Sequence, residues 1–82
     1  MKPVRPTTLK RVLESCGYAE VAQDECCWIL ESNGHPAVIP QTMALVPIDV
    51  LESILGPAGI TEAAFTALVE KIEAAPHKQA AS

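Results

Sequence analysis

Cys26-Cys27-Trp28-Ile29-Leu30-Glu31-Ser32-Asn33-Gly34-His35-Pro36-Ala37-Val38-Ile39-Pro40 is the stretch on which the fold turns. Taken in steps of two, Cys26, Trp28 and Leu30 share one face of an extended segment, and Cys27, Ile29 and Glu31 share the other. Asn33-Gly34 is a favoured pair for a two-residue type I′ hairpin loop, because both central positions need positive φ. His35 to Ile39 is therefore expected to return antiparallel, with Ser32 opposite His35 and Cys27 opposite Pro40. Pro36 has no N–H to give a ladder, which marks this strand as edge-exposed or irregular at its start.

Upstream, Tyr18 to Ala22 reads as a short strand and Gln23-Asp24-Glu25 as a polar turn. Before it, Leu9, Val12, Leu13 and Cys16 repeat at helical spacing, with Thr7 or Thr8 as the expected cap and Gly17 at the left-handed C-terminal position. Downstream, Pro40 to Val46 is a connecting loop. Pro47 suits a first helical turn, and Ile48, Leu51, Ile54 and Leu55 supply an apolar face up to Gly56. Pro57-Ala58-Gly59 is expected to break the chain. Thr61 caps a last helix carrying Phe65, Leu68, Val69 and Ile72, ended by Pro76. Residues 77–82 read as a flexible C-terminal tail.

The order helix, three strands, two helices predicts an α+β fold: a three-stranded antiparallel sheet with helices on one face and the other face partly open. Residues 1–76 form one domain in this reading. With 49% hydrophobic residues, the 82-residue chain has enough apolar side chains for a core without staples. Residues 1–12 lack the apolar run of a secretory signal, and no segment approaches the ~20 apolar residues of a membrane span. The expectation is a cytoplasmic protein with no membrane association.

Three cysteines, Cys16, Cys26 and Cys27, are an odd number with two adjacent, so no disulfide framework is legible. The doublet also lacks the separation of a zinc pair, and alternation sends its two thiols to opposite faces. A shared metal or redox role would need a bulge there. No cofactor and no metal are expected.

Net charge is −4, unevenly spread. Lys2, Arg5, Lys10 and Arg11 stand in the first 11 residues without an acid, whereas the rest holds Lys71 and Lys78 against all ten acids. Affinity for RNA would have to come from those four N-terminal cations, since an acidic body repels phosphate. Simple solvation of a basic chain end is the plainer reading.

Taken together, the leading helix ending in Cys16-Gly17-Tyr18, the hairpin turning at Gly34, and the apolar strand ending in Ile39-Pro40 resemble one family. Leu51-Glu52-Ser53-Ile54-Leu55-Gly56-Pro57-Ala58-Gly59-Ile60-Thr61 adds to the likeness. That family is the HicA toxins of HicA–HicB toxin–antitoxin modules, and the likeness covers roughly residues 8–73. The resemblance implies a double-stranded-RNA-binding-domain-like fold, mRNA interferase activity and a HicB-like antitoxin as partner.

The chain departs from the family where chemistry is done. The family enters its second strand through a Gly-Ser-X-His-like motif whose histidine is catalytic. Counted back from Pro40, that motif falls on Asp24-Glu25-Cys26-Cys27, so Cys27 holds the histidine's place. A histidine both gives and takes protons near neutrality. A thiol titrates higher, and two neighbouring acids raise it further while repelling phosphate. His35 is no substitute partner, because the hairpin register sets it about 17 Å along the ladder from Cys27.

Three functions are compatible with these residues. One is a catalytically impaired protein-binding module, docking a partner over the open sheet through Cys27 and Ile29. The second is an active ribonuclease with divergent chemistry at Cys27, and the third an RNA-binding regulator without chemistry. Trp28 anchors the core or, on the open face, becomes a stacking or partner-binding residue; the pattern leaves open which face meets the helices.

Overall fold

A computed structural model describes residues 1–74; Pro76 as helix terminator and the 77–82 tail lie outside the described residues. Helix α1 spans Pro6–Ser15. Its N-cap is Arg5, in extended conformation and without a side-chain capping bond, rather than Thr7 or Thr8. Pro6 explains the difference: its φ is preset for the first helical position and it holds the preceding residue extended. Thr8 is instead buried inside the first turn, where its hydroxyl donates to Glu73 Oε2 at 3.3 Å. The helix ends as expected at Gly17 (φ 100°), with the Gly17 N–H donating to Glu14 O and the Tyr18 N–H to Leu13 O.

Strands β1 (Ala19–Gln23), β2 (Cys27–Ser32) and β3 (His35–Pro40) form an antiparallel sheet in the order β1-β2-β3. Asn33 (φ 52°) and Gly34 (φ 80°) make the turn their sequence favours, and the register follows: Ser32 pairs with His35, Ile29 with Val38, Cys27 with Pro40. The β1–β2 ladder slips between Glu20 and Ala22, a bulge that leaves Val21 as the extra residue opposite Ile29.

After β3 the chain returns through a loop in which Val46 bridges Val4, and enters α2 (Ile48–Ala58). This helix does not break at Pro57 but runs through it to Gly59, which is left-handed at φ 73°. Gly56 has no Cβ to clash with the proline ring, and only one intrahelical bond is forfeited so near the end. The last helix, α3 (Glu62–Ala74), is capped by Thr61, whose Oγ1 accepts the Ala64 N–H at 3.2 Å.

The core comprises Leu9, Val12 and Leu13 of α1, Leu30, Ala37 and Ile39 of the sheet, Val4 and Val46, Leu51 and Leu55 of α2, and Phe65 of α3. Trp28 is half-buried against this cluster, on the same face as Leu30. Helices α1 and α2 pack on the sheet and α3 lies against α1. All three thus stand on the Leu30 side, and the fold is α+β with the other sheet face left uncovered by the described residues.

Candidate functional site

Pairing fixes the membership of the uncovered face. Residues directly opposite in an antiparallel ladder point the same way, so Ile29, Val38 and Ala22 go together, as do Cys27 with Pro40 and Glu31 with Pro36. Ile29 is half-buried among its neighbours, Val38 is 49% exposed, and the bulged Val21 beside them is 57% exposed. The result is an apolar centre with Glu31 toward the hairpin end and Asp24-Glu25 at the other.

Cys26 is not a strand residue. It sits exposed in the β1–β2 turn, because the Asp24 side chain captures the local backbone. Asp24 Oδ1 accepts the N–H groups of Cys26 and Cys27, both at 2.8 Å, and the Asp24 N–H donates to Cys27 O at 3.0 Å. Gln41 ties the turn to the end of β3: its N–H donates to Cys26 O at 2.8 Å and its Nε2 to Asp24 O at 2.7 Å. Such Asp-centred turns are a general habit of short acidic side chains that mimic a backbone acceptor.

Cys27 therefore stands at the start of β2, half-exposed on the open face. Its thiol is pushed above the ordinary cysteine range, first by desolvation, then by the Asp24 carboxylate and by Cys26. A nucleophilic or acid–base cysteine needs the opposite environment, an electropositive one that stabilises thiolate. At neutral pH this group is a protonated, weakly polar side chain.

The four N-terminal cations do not converge on it. Lys10 is directed to the edge of the sheet, where its Nζ meets Glu20 Oε1 at 2.8 Å and Glu14 Oε2 at 3.8 Å. The same ammonium lies 5.2 Å from the centroid of the Trp28 ring. The Glu20 hydrogen bond leads the causes that raise its pKa, followed by the opposing effect of desolvation and the charge of Glu14. Arg5 and Arg11 flank a shallow groove between α1 and α3 with Thr7, Ile72 and Glu73, and Arg5 reaches Glu73 at 4.0 Å. Lys2 lines a neighbouring groove beside Phe65 and Val69. Lys2, Arg5 and Arg11 thus belong to the helical layer, behind the sheet face that bears Cys27.

His35 is exposed at the hairpin end, five register positions from the Cys27–Pro40 pair. Among the described residues no group of three His, Cys, Asp or Glu side chains is placed to hold a metal ion, and no helix is long and apolar enough to cross a membrane. The sequence pattern offers Cys27 and Ile29 as partner-binding residues without fixing which face the helices cover, and it does not single out Val38 or Val21. Val38 was within reach, since the register already set it opposite Ile29; Val21 depends on a bulge with no glycine to announce it. Neither family models, nor curated proteins, nor solved structures yield a match to this chain.

Proposed function

We propose that this chain is a HicA-like small domain that works as a catalytically impaired protein-binding module of a toxin–antitoxin-type system. The observation that carries the reading is the uncovered apolar sheet face, Ile29 and Val38 with Val21 at its side, beside a Cys27 thiol held protonated. A sheet normally covers such a face or makes it polar, and among the described residues this one does neither. The α-β-β-β-α order fits the double-stranded-RNA-binding-domain-like architecture that the resemblance implies. Ribonuclease chemistry has little support: the position of the family histidine carries a thiol shifted away from thiolate, and three of the four N-terminal cations line the helical layer. An antitoxin-like protein of the HicB kind is the partner the resemblance suggests.

Co-expression with the product of the adjacent reading frame tests this. A stoichiometric complex that Ile29→Asn breaks, without loss of the folded sheet, is the expected result. A folded protein that leaves that product unbound refutes the antitoxin form of the proposal.

A further inference from the structure

The open face is flanked by strand edges that resist extension. Ser32 and His35 close a two-residue hairpin as a hydrogen-bonded pair, so hydrogen-bonded and non-hydrogen-bonded pairs alternate from there. Positions 36, 38 and 40 of β3 then turn their backbone outward, and two of these three are prolines without an N–H. On the opposite edge β1 carries its bulge, and Glu20 is held by Lys10. Prolines, bulges and charges are the usual devices against strand addition. A partner that extends the sheet as a fourth strand finds one donor on one side and a broken ladder on the other.

A partner laid across the face meets a different surface. Three strands at ~4.8 Å spacing and about five residues of length give an apolar floor on the order of 14 by 17 Å, the footprint of one helix about 10 Å in diameter. Both ends of the face carry acids: Asp24 and Glu25 bound one end and Glu31 the other, and Lys10 at the β1 edge is already held by Glu20. Residues 12–70, which include the whole sheet, contain no lysine or arginine. Two copies of this face brought together would set acids against acids, which disfavours self-association.

We infer that the open sheet face is a docking site for an amphipathic helix of another protein, bearing an apolar stripe flanked by lysine or arginine. This rests on the reading of the chain as a protein-binding module and names the chemistry of its partner. The helix lies over Val21, Ile29 and Val38, and its cations reach Asp24, Glu25 and Glu31. The floor is well short of the ~800 Å² per side of a standard interface, so the helix alone binds weakly and reversibly.

The probes are two synthetic 18-residue helical peptides with the same leucine stripe, one flanked by lysines and one by glutamates, titrated into the ¹⁵N-labelled full chain. The lysine peptide is expected to bind at least ten-fold more tightly and to shift the amides of Ala22, Ile29 and Val38. Val38→Gln and Glu31→Gln should each weaken it several-fold, with amide spectra showing an intact fold. Equal binding of both peptides, shifts confined to α1 and α3, concentration-dependent self-association through this face, or preferential binding of an A-form RNA duplex there overturns the inference. Titration of the adjacent-frame product separates the two proposals. If that product binds with its footprint on the helices, the binding-module reading stands and the helix-docking inference falls. If it does not bind while the lysine peptide maps to the face, the inference stands and the antitoxin reading falls.

Discussion

Asp24→Ala and Asp24→Asn together separate two jobs done by one carboxylate. Its Oδ1 accepts two amide N–H groups at 2.8 Å, and its charge lies beside the Cys27 thiol. Alanine removes acceptor and charge; asparagine keeps an amide oxygen where Oδ1 stood and removes the charge alone. The turn is solvent-exposed, so the freed N–H groups find water, and the loss resembles that of an N-cap side chain, about 1–2 kcal/mol for Asp24→Ala. In a domain of this size each 1 kcal/mol moves Tm by roughly 4–8 °C. Asp24→Asn should retain most of that stability. Both variants should lower the Cys27 pKa, since they remove a charge that raises it, while desolvation continues to hold it up. Urea unfolding gives the first quantity, and the pH dependence of iodoacetamide alkylation gives the second, in a Cys16→Ser, Cys26→Ser background where Cys27 alone reacts. Asparagine as destabilising as alanine refutes the capping argument. An unchanged alkylation profile in both variants refutes the electrostatic one.

The two faces of the hairpin should respond oppositely to truncation: Leu30→Ala, at a fully buried position, should cost about 3–5 kcal/mol in urea unfolding, whereas Val38→Thr on the open face should stay within about 0.5 kcal/mol. Comparable losses at both positions would mean that the open face is covered. Lys10 and Cys27 both titrate higher in the folded chain, so the folded state binds protons more tightly than the unfolded one. Their contribution is complete below the unfolded pKa values, about 8.5 for the thiol and 10.4 for the ammonium, and is lost as pH climbs through the folded ones. Urea midpoints at pH 7, 9 and 11 should fall at the alkaline end, and Lys10→Met should flatten the step above pH 10.

Short-range backbone chemistry accounts for most of what could be read from the residues. Asn33-Gly34 admits a two-residue loop whose geometry dictates every pair from Ser32–His35 to Cys27–Pro40, so one dipeptide set the hairpin and its faces. Gly17 likewise ended α1 where a left-handed residue was needed. Local pattern and structure part where two local preferences compete. Thr7 and Thr8 are good caps, but Pro6 starts the helix first. Pro57 is a helix breaker, but it follows a glycine and lies in the last turn, next to the final helical residue Ala58. Cys26 continues the alternation of β2 in sequence, but Asp24 draws its amide into the turn. The bulge at Val21 and the Val4–Val46 bridge depend on distant packing that no local pattern encodes. The candidate site was legible in part for the same reason. The hairpin puts Cys27 and Ile29 on one shared face, while the exposure of that face and the commitment of Lys10 to Glu20 and Trp28 need the packing of the helices on the sheet.

Transcript integrity after induction tests whether the chain, read as a HicA-like module under the proposal above, binds without cutting. The chain is expressed alone from a tight promoter, beside its Cys27→Ala variant, and mRNA is followed by northern blot or sequencing of cleavage ends. Intact transcripts and unimpaired growth are expected with both proteins. Rapid mRNA cleavage and growth arrest with the unaltered chain, abolished by Cys27→Ala, would contradict it.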